Sequence, residues 1–206
     1  MSKAPESHNI YELPPGLPVP IDDGACAHLP GMPMPSAKLH STSGKIVDVA
    51  SASKQKAVFF FFPAAGRPGV PSPVGWNEIP GARGCTPQIC SFRDSTAGFR
   101  VLGFQIFGVS AQRPVDLMEI AHRNKIQYEL LSDSELKLAK ELRLPTFGIE
   151  PPDQLLPKTC IKRLTLVVEA GRIRKVFYPV FPPDKNVAEV LSYLTGIGGK
   201  APYAIK

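Results

Sequence analysis

The residues best suited to chemistry are two thiols, Cys85 and Cys90, in the segment Gly81-Ala82-Arg83-Gly84-Cys85-Thr86-Pro87-Gln88-Ile89-Cys90-Ser91-Phe92-Arg93-Asp94. A cysteine attacks as its thiolate, so its surroundings decide whether it reacts. The segment follows an apolar strand and opens a helix over Thr86–Ala97, with Pro87 tolerated in the first turn. Cys85 then lies where free backbone amides and the positive end of the helix dipole favour an anion. Arg83, two residues upstream, adds to that field. On an ideal helix, residues five apart differ by about 140° and about 7.5 Å of rise, so their Cα atoms are about 8.6 Å apart. A disulfide needs less than about 7 Å. Cys85 and Cys90 therefore cannot bridge while the helix is intact, and a bond between them requires its first turns to unwind. That is the geometry of a two-state redox cycle rather than of a permanent staple.

Residue types alone leave alternatives open. Free cysteines are often buried as small apolar side chains. A metal site is another reading, but this Cys-x4-Cys has no second pair and no histidine cluster after it. His8, His28, His40 and His122 are scattered. No Cys-x-x-Cys occurs, so a dithiol reductase of thioredoxin type lacks its motif.

The elements that must position these thiols alternate. Gly44–Val49 is predicted as a strand or hairpin, and Ala57–Phe62 as a strand buried on both faces, because its apolar run is unbroken. A Pro- and Gly-rich loop follows, Pro63–Gly84, a length that is often functional. After the cysteine helix come a strand over Phe99–Val109, a helix over Pro114–Asn124 and a short strand at Tyr128–Leu131. Ser132 or Asp133 is expected to cap a helix through Leu142, Ser132 with Glu135 fitting a capping box. Strands at Ile161–Glu169 and Arg172–Tyr178 turn at Ala170-Gly171, and Asp184–Leu194 is the last helix. The order predicts an α/β domain whose sheet is largely parallel and made mixed by the closing hairpin.

Composition narrows the class. With 43% hydrophobic and 20% charged residues the chain can build a globular core. No apolar run reaches the roughly 18 to 20 residues of a spanning helix, so no membrane role is expected. The net charge of +6 comes without any block of like charges, and no nucleic-acid partner is expected. The N-terminus has no apolar leader and four cysteines are no disulfide framework, so a reducing, cytoplasmic setting is expected. Eight prolines before residue 36 exclude a regular helix there and predict an extended arm over 1–36.

Gly84-Cys85-Thr86, then Cys90, then Phe92-Arg93-Asp94, resembles the active-site segment of the Q-type peroxiredoxins, including the bacterioferritin comigratory protein. The resemblance runs from about Ala37 to Leu194. It takes in the Phe-rich strand, Val109-Ser110-Ala111, Leu130-Leu131-Ser132-Asp133, Lys162 to Val168, and Gly171-Arg172-Ile173. It implies a thioredoxin-like fold over 37–198, a central mixed sheet flanked by helices, with 63–84 as an inserted active-site loop and 199–206 as a tail. It implies that Cys85 is the peroxidatic cysteine, attacking hydrogen peroxide or alkyl hydroperoxides, and that Cys90 is the resolving one. Arg163 matches the family arginine that steadies the thiolate and orients the peroxide, and Pro63, Gly84 and Thr86 are the expected substrate-side residues. A thioredoxin-like dithiol donor, no metal or organic cofactor, and a monomer or weak homodimer complete the expectation.

The chain also departs from the family pattern Pro-x-x-x-Thr/Ser-x-x-Cys. The hydroxyl position holds Ala82 and the proline position Glu78. The equivalent proline is then Pro63, which implies an insertion of about 15 residues. With no hydroxyl at 82, a redox sensor or scaffold on the same fold is the alternative. Cys160, three residues before Arg163, is a second candidate partner for Cys85, Cys26 reads as a spare thiol, and Trp76 in the insertion is expected to report helix unwinding.

Overall fold

A computed structural model describes residues 9–149 and 156–196. The expected tail 199–206 and His8 lie outside the described residues. The elements are β1 (Lys38–Ser41), β2 (Ile46–Asp48), α1 (Val49–Ala52), β3 (Ala57–Phe61), α2 (Cys85–Asp94), α3 (Thr96–Val101), β4 (Gln105–Ser110) and α4 (Pro114–Arg123). They continue with β5 (Glu129–Ser132), α5 (Lys137–Glu141), β6 (Thr146–Gly148), β7 (Thr159–Ile161), β8 (Leu164–Glu169), β9 (Arg172–Phe177) and α6 (Asn186–Leu194).

Seven strands form one sheet in the order β2-β1-β5-β4-β3-β8-β9. β3, β4 and β5 run parallel at its centre, while β8 and β1 pair antiparallel on either side. The sheet is thus mixed and flanked by helices, the thioredoxin-like arrangement, but not largely parallel as expected: only two of its six strand pairings are parallel, because β1 as well as the closing hairpin joins antiparallel. The phenylalanine run explains its thickness. Successive side chains of a strand point to opposite faces, so Phe59 and Phe61 enter one core while Val58, Phe60 and Phe62 enter the other. The second core receives Ile89 and Phe92 from α2, Phe99 from α3, Leu117 and Ile120 from α4, and Val187 and Val190 from α6. Phe60 stacks on Phe92 with ring centroids 4.3 Å apart. That contact fastens α2 to β3, and truncating Phe60 to Ala would cost about 3–5 kcal/mol. On the other face, Cys26, Leu29 and Met34 of the Pro-rich stretch pack into the first core beside Leu138 of α5. Backbone bonds hold this stretch too: the Met34 amide donates to Gly171 O at 2.8 Å.

Several local expectations are corrected. Phe99–Val101 belongs to a helix, and the strand starts at Gln105. Helical spacing is what turns Phe99 onto Phe92 (5.7 Å between centroids), and Gly103, at φ +76°, makes the turn into β4. Ser132 forms no capping box. It ends β5 and its hydroxyl donates to Gln112 O, while the Asp133 carboxylate accepts from the amides of Leu138 and Ala139 at the start of α5. The expected strand Ile161–Glu169 is broken at Lys162-Arg163, and the break frees Arg163 to turn into the site. β1, α1 and the small β6–β7 ribbon were not expected; each has six residues or fewer, too short for a periodic signal.

Candidate functional site

Cys85 is the first residue of α2, one position upstream of the expected helix start. Gly84 precedes it in the left-handed region, at φ +98°. A Cβ on Gly84 would stand 2.5 Å from Pro183 Cγ and 2.6 Å from Leu13 Cδ2, so both conformation and space require glycine. The amides of Cys85 and Thr86 open the helix and have no intrahelical acceptor, and Pro87 contributes none. Cys85 is only 3% exposed at this donor-rich helix start.

Arg163 supplies the charge. Its Nη2 donates to Cys85 Sγ at 3.1 Å, and as a thiol the sulfur in turn donates to Ala82 O at 3.5 Å. Every nitrogen of the guanidinium is engaged. Nη2 also reaches the carbonyls of Ala82 and Arg83, Nε that of Gly81, and Nη1 the side-chain oxygen of Gln88. Gln88 passes the contact on, its Nε2 donating to Asn186 Oδ1, which also accepts from the Thr165 hydroxyl at 2.7 Å. One buried network thus joins the sulfur, the 81–83 turn, α2 and α6. A guanidinium fork suits this work because it is planar and donates in several fixed directions.

Arg83 behaves differently from expectation. It is buried beside the site, but Nη1 donates to Ser72 Oγ (3.0 Å) and Nη2 to Asn9 O (3.1 Å). Desolvation pulls its pKa down, opposed by the neighbouring Cys85.

Cys90 lies in the same uninterrupted helix, half-buried, its thiol donating to Asn124 Oδ1 at 3.8 Å. The ideal-helix separation of about 8.6 Å therefore applies, and all four cysteines are free. Burial pushes the Cys90 thiol up, with Arg93 pulling it back and Asp94 raising it. Cys160 is buried among Ala64, Trp76 and Ala82, and burial together with the nearby Cys85 pushes its pKa up strongly. Burial likewise raises Cys26, to about 12, with Asp23 and Asp22 adding to it. Both are thus held as neutral, packed thiols.

The sulfur faces a pocket of about 700 Å³, open solvent at its mouth included. Its walls come from the inserted loop (Ala64 to Trp76), the helix start (Arg83 to Thr86), α4 (Asp116, Glu119, Ile120) and Ile10 of the N-terminal stretch. Thr86 lines it and Pro63 does not. Pro63 is buried at the strand end, its carbonyl accepting from Ser110 Oγ at 3.0 Å. Ala82, where the family pattern has a hydroxyl, is fully buried, and the hydroxyls on the pocket wall belong to Ser72 and Thr86. Gln112 clips the loop by a pair of bonds to Ala65, and Arg67 reaches Asp116.

Sequence reasoning missed Gln88, Asn186, Gln112 and Asn124. For Gln88 a signal existed, since it lies three residues after Cys85 and so on the same side of the helix. Asn186 and Gln112 act from distant elements and left no local trace.

Peroxiredoxin Q, chloroplastic, of Suaeda salsa is 29% identical over 195 residues, covering 93% of this chain and 79% of that protein. Its counterpart in Gentiana triflora is 29% identical over 163 residues, and the match covers 78% of this chain but only 64% of that longer protein. In fold, the crystal structure of peroxidoxin BcpB from Mycobacterium tuberculosis superposes with a TM-score of 0.64 at 24% identity, covering 82% of this chain and 99% of the other. Residues 29–194 match the Redoxin family, and the chain belongs to that family.

Proposed function

We propose that this protein is a peroxiredoxin, reducing hydrogen peroxide and alkyl hydroperoxides with Cys85 as the attacking thiolate and Cys90 as the resolving thiol. The observation that carries the reading is the Arg163 Nη2 donor 3.1 Å from Cys85 Sγ at the start of α2. The sulfur attacks one peroxide oxygen, and the O–O bond breaks. Cys85 becomes a sulfenic acid, and the other oxygen leaves as alkoxide or hydroxide and takes up a proton. Arg163 and the amides of Cys85 and Thr86 face the developing negative charge, an electrostatic contribution fixed in place before the reaction. The Cys90 thiol then condenses with the sulfenic acid, releasing water and forming the disulfide, after the turns between them unwind. A dithiol donor of thioredoxin type returns both thiols by exchange. A reducing compartment such as the cytoplasm suits this cycle.

Intact mass after one equivalent of hydrogen peroxide tests the assignment. The native chain should lose two hydrogens, with peptide mapping locating the bridge at Cys85 and Cys90. Cys90→Ser should gain one oxygen and fail to turn over with a dithiol donor. Cys85→Ser should do neither, and peroxide turnover persisting in Cys85→Ser would end the assignment. A wild-type rate no faster than that of free cysteine would favour the sensor reading, to which the buried Ala82 lends its only support.

A further inference from the structure

The Cys85 pocket is roofed by two segments: the inserted loop, and residues 9–13, which precede the matched residues 29–194. Arg83 holds both, one nitrogen on Ser72 Oγ and the other on Asn9 O. Leu13 is packed onto Gly84, the residue from which α2 starts. The arrangement sets a problem, because a sulfur 3% exposed cannot be reached by a second protein's thiolate, which must approach it directly.

The far end of α2 shows how access arises. Phe92 is fully buried against Phe60 and Phe99, and Arg93 donates to Asn124 O at 2.8 Å. Pulling that end out would empty the core, whereas the Gly84 end is held by hydrogen bonds and the Leu13 and Pro183 contacts. The shortening that brings Cys85 and Cys90 within bonding distance therefore falls on the Gly84 end. That motion turns the adjoining Arg83 away from its two acceptors and removes the surface on which Leu13 rests.

Resting on the Cys85–Cys90 reading above, we propose that Arg83 is a positioning residue that clasps residues 9–13 over the reduced site. Disulfide formation opens the clasp, and the lifted strap admits the dithiol donor. Oxidation is thereby coupled to exposure: the pocket stays covered while Cys85 waits for peroxide and opens only when there is a disulfide to reduce. The inserted loop, tied to α4 through Arg67–Asp116 and to the β4–α4 connection through Gln112–Ala65, stays in place as the fixed half of the roof.

Amide hydrogen exchange over residues 9–17 of the full chain tests this, comparing the reduced protein with the disulfide form verified by mass. The strap amides should exchange at least about tenfold faster in the disulfide form. Reduced Arg83→Met should already exchange at the faster rate, and Arg83→Lys should fall between, because one ammonium cannot hold both acceptors. Leu13→Ala, which leaves Arg83 intact, should likewise speed strap exchange in the reduced form, while the KM for a thioredoxin, which meets the strap already lifted, changes less than twofold. Equal protection of the strap in reduced and disulfide forms would overturn the proposal and leave the peroxidase reading standing. Failure of peroxide to form the disulfide at all would overturn both.

Discussion

Replacing Arg163 by Met removes the one charge that touches the Cys85 sulfur among the described residues and keeps much of the side chain's bulk. A cation 3.1 Å from a thiolate is worth about 5 kcal/mol at an effective dielectric constant near 20. Hydrogen bonds to charged groups contribute about 1.5–3 kcal/mol net. The difference between those figures is desolvation that the folded protein has already met. A loss of about 3 kcal/mol in the transition state slows the oxidation of Cys85 about a hundredfold. Arg163→Met also strips the carbonyls of Gly81, Ala82 and Arg83 of a donor, so stability should fall by about 3 kcal/mol. Arg163→Lys keeps the charge but loses the fork, and should recover about tenfold of the rate. The measurement is the second-order rate constant for one equivalent of hydrogen peroxide, stopped by alkylation and read by mass. Circular dichroism, with urea unfolding, reports the fold separately. A folded Arg163→Met oxidised within threefold of the wild-type rate would refute the assignment of Arg163 to the reacting sulfur.

Two further predictions concern the scaffold. Gly84→Ala should destabilise the protein by about 2–4 kcal/mol, combining a strained left-handed residue with the crowding of Pro183 and Leu13; an unchanged urea midpoint would contradict the geometry. Asp23 ties the N-terminal stretch to the domain, since Lys162 and then Tyr178 hold its carboxyl down to about 2, below its ordinary 3.8. A lowered folded pKa stabilises above the unfolded value and fades as pH falls through the folded one. Asp23→Asn should therefore lower Tm at pH 7, with the gap closing between pH 4 and pH 2. A gap independent of pH would argue against the tie.

The motif around Cys85 was legible because it is local. A helix start, a nearby glycine and a second thiol five residues on are all properties of adjacent positions, and backbone geometry converts that spacing directly into distance. The central strand was legible for the same reason, its unbroken apolar run having no use except burial on both faces. Boundaries were less so. Phe99 is apolar and β-tolerant, and only its partnership with Phe92 makes it helical. Ser132 with Glu135 fits a capping box by spacing, but the β5 ladder claims Ser132 first.

What the amino-acid order determined by itself is the pair of thiols and their separation, since one helix carries both. What the tertiary structure alone decided is everything that reaches the sulfur from afar. The resemblance pointed to Arg163, but only a break between two strands, 78 residues downstream of Cys85, turns it onto the sulfur. Gln88 is useful only because Asn186 meets it, and Arg83 turns to the strap instead of to the thiol beside it. The physical reason is that a buried polar group must find its partners wherever the fold provides them, and which partner arrives depends on how strands and helices pack.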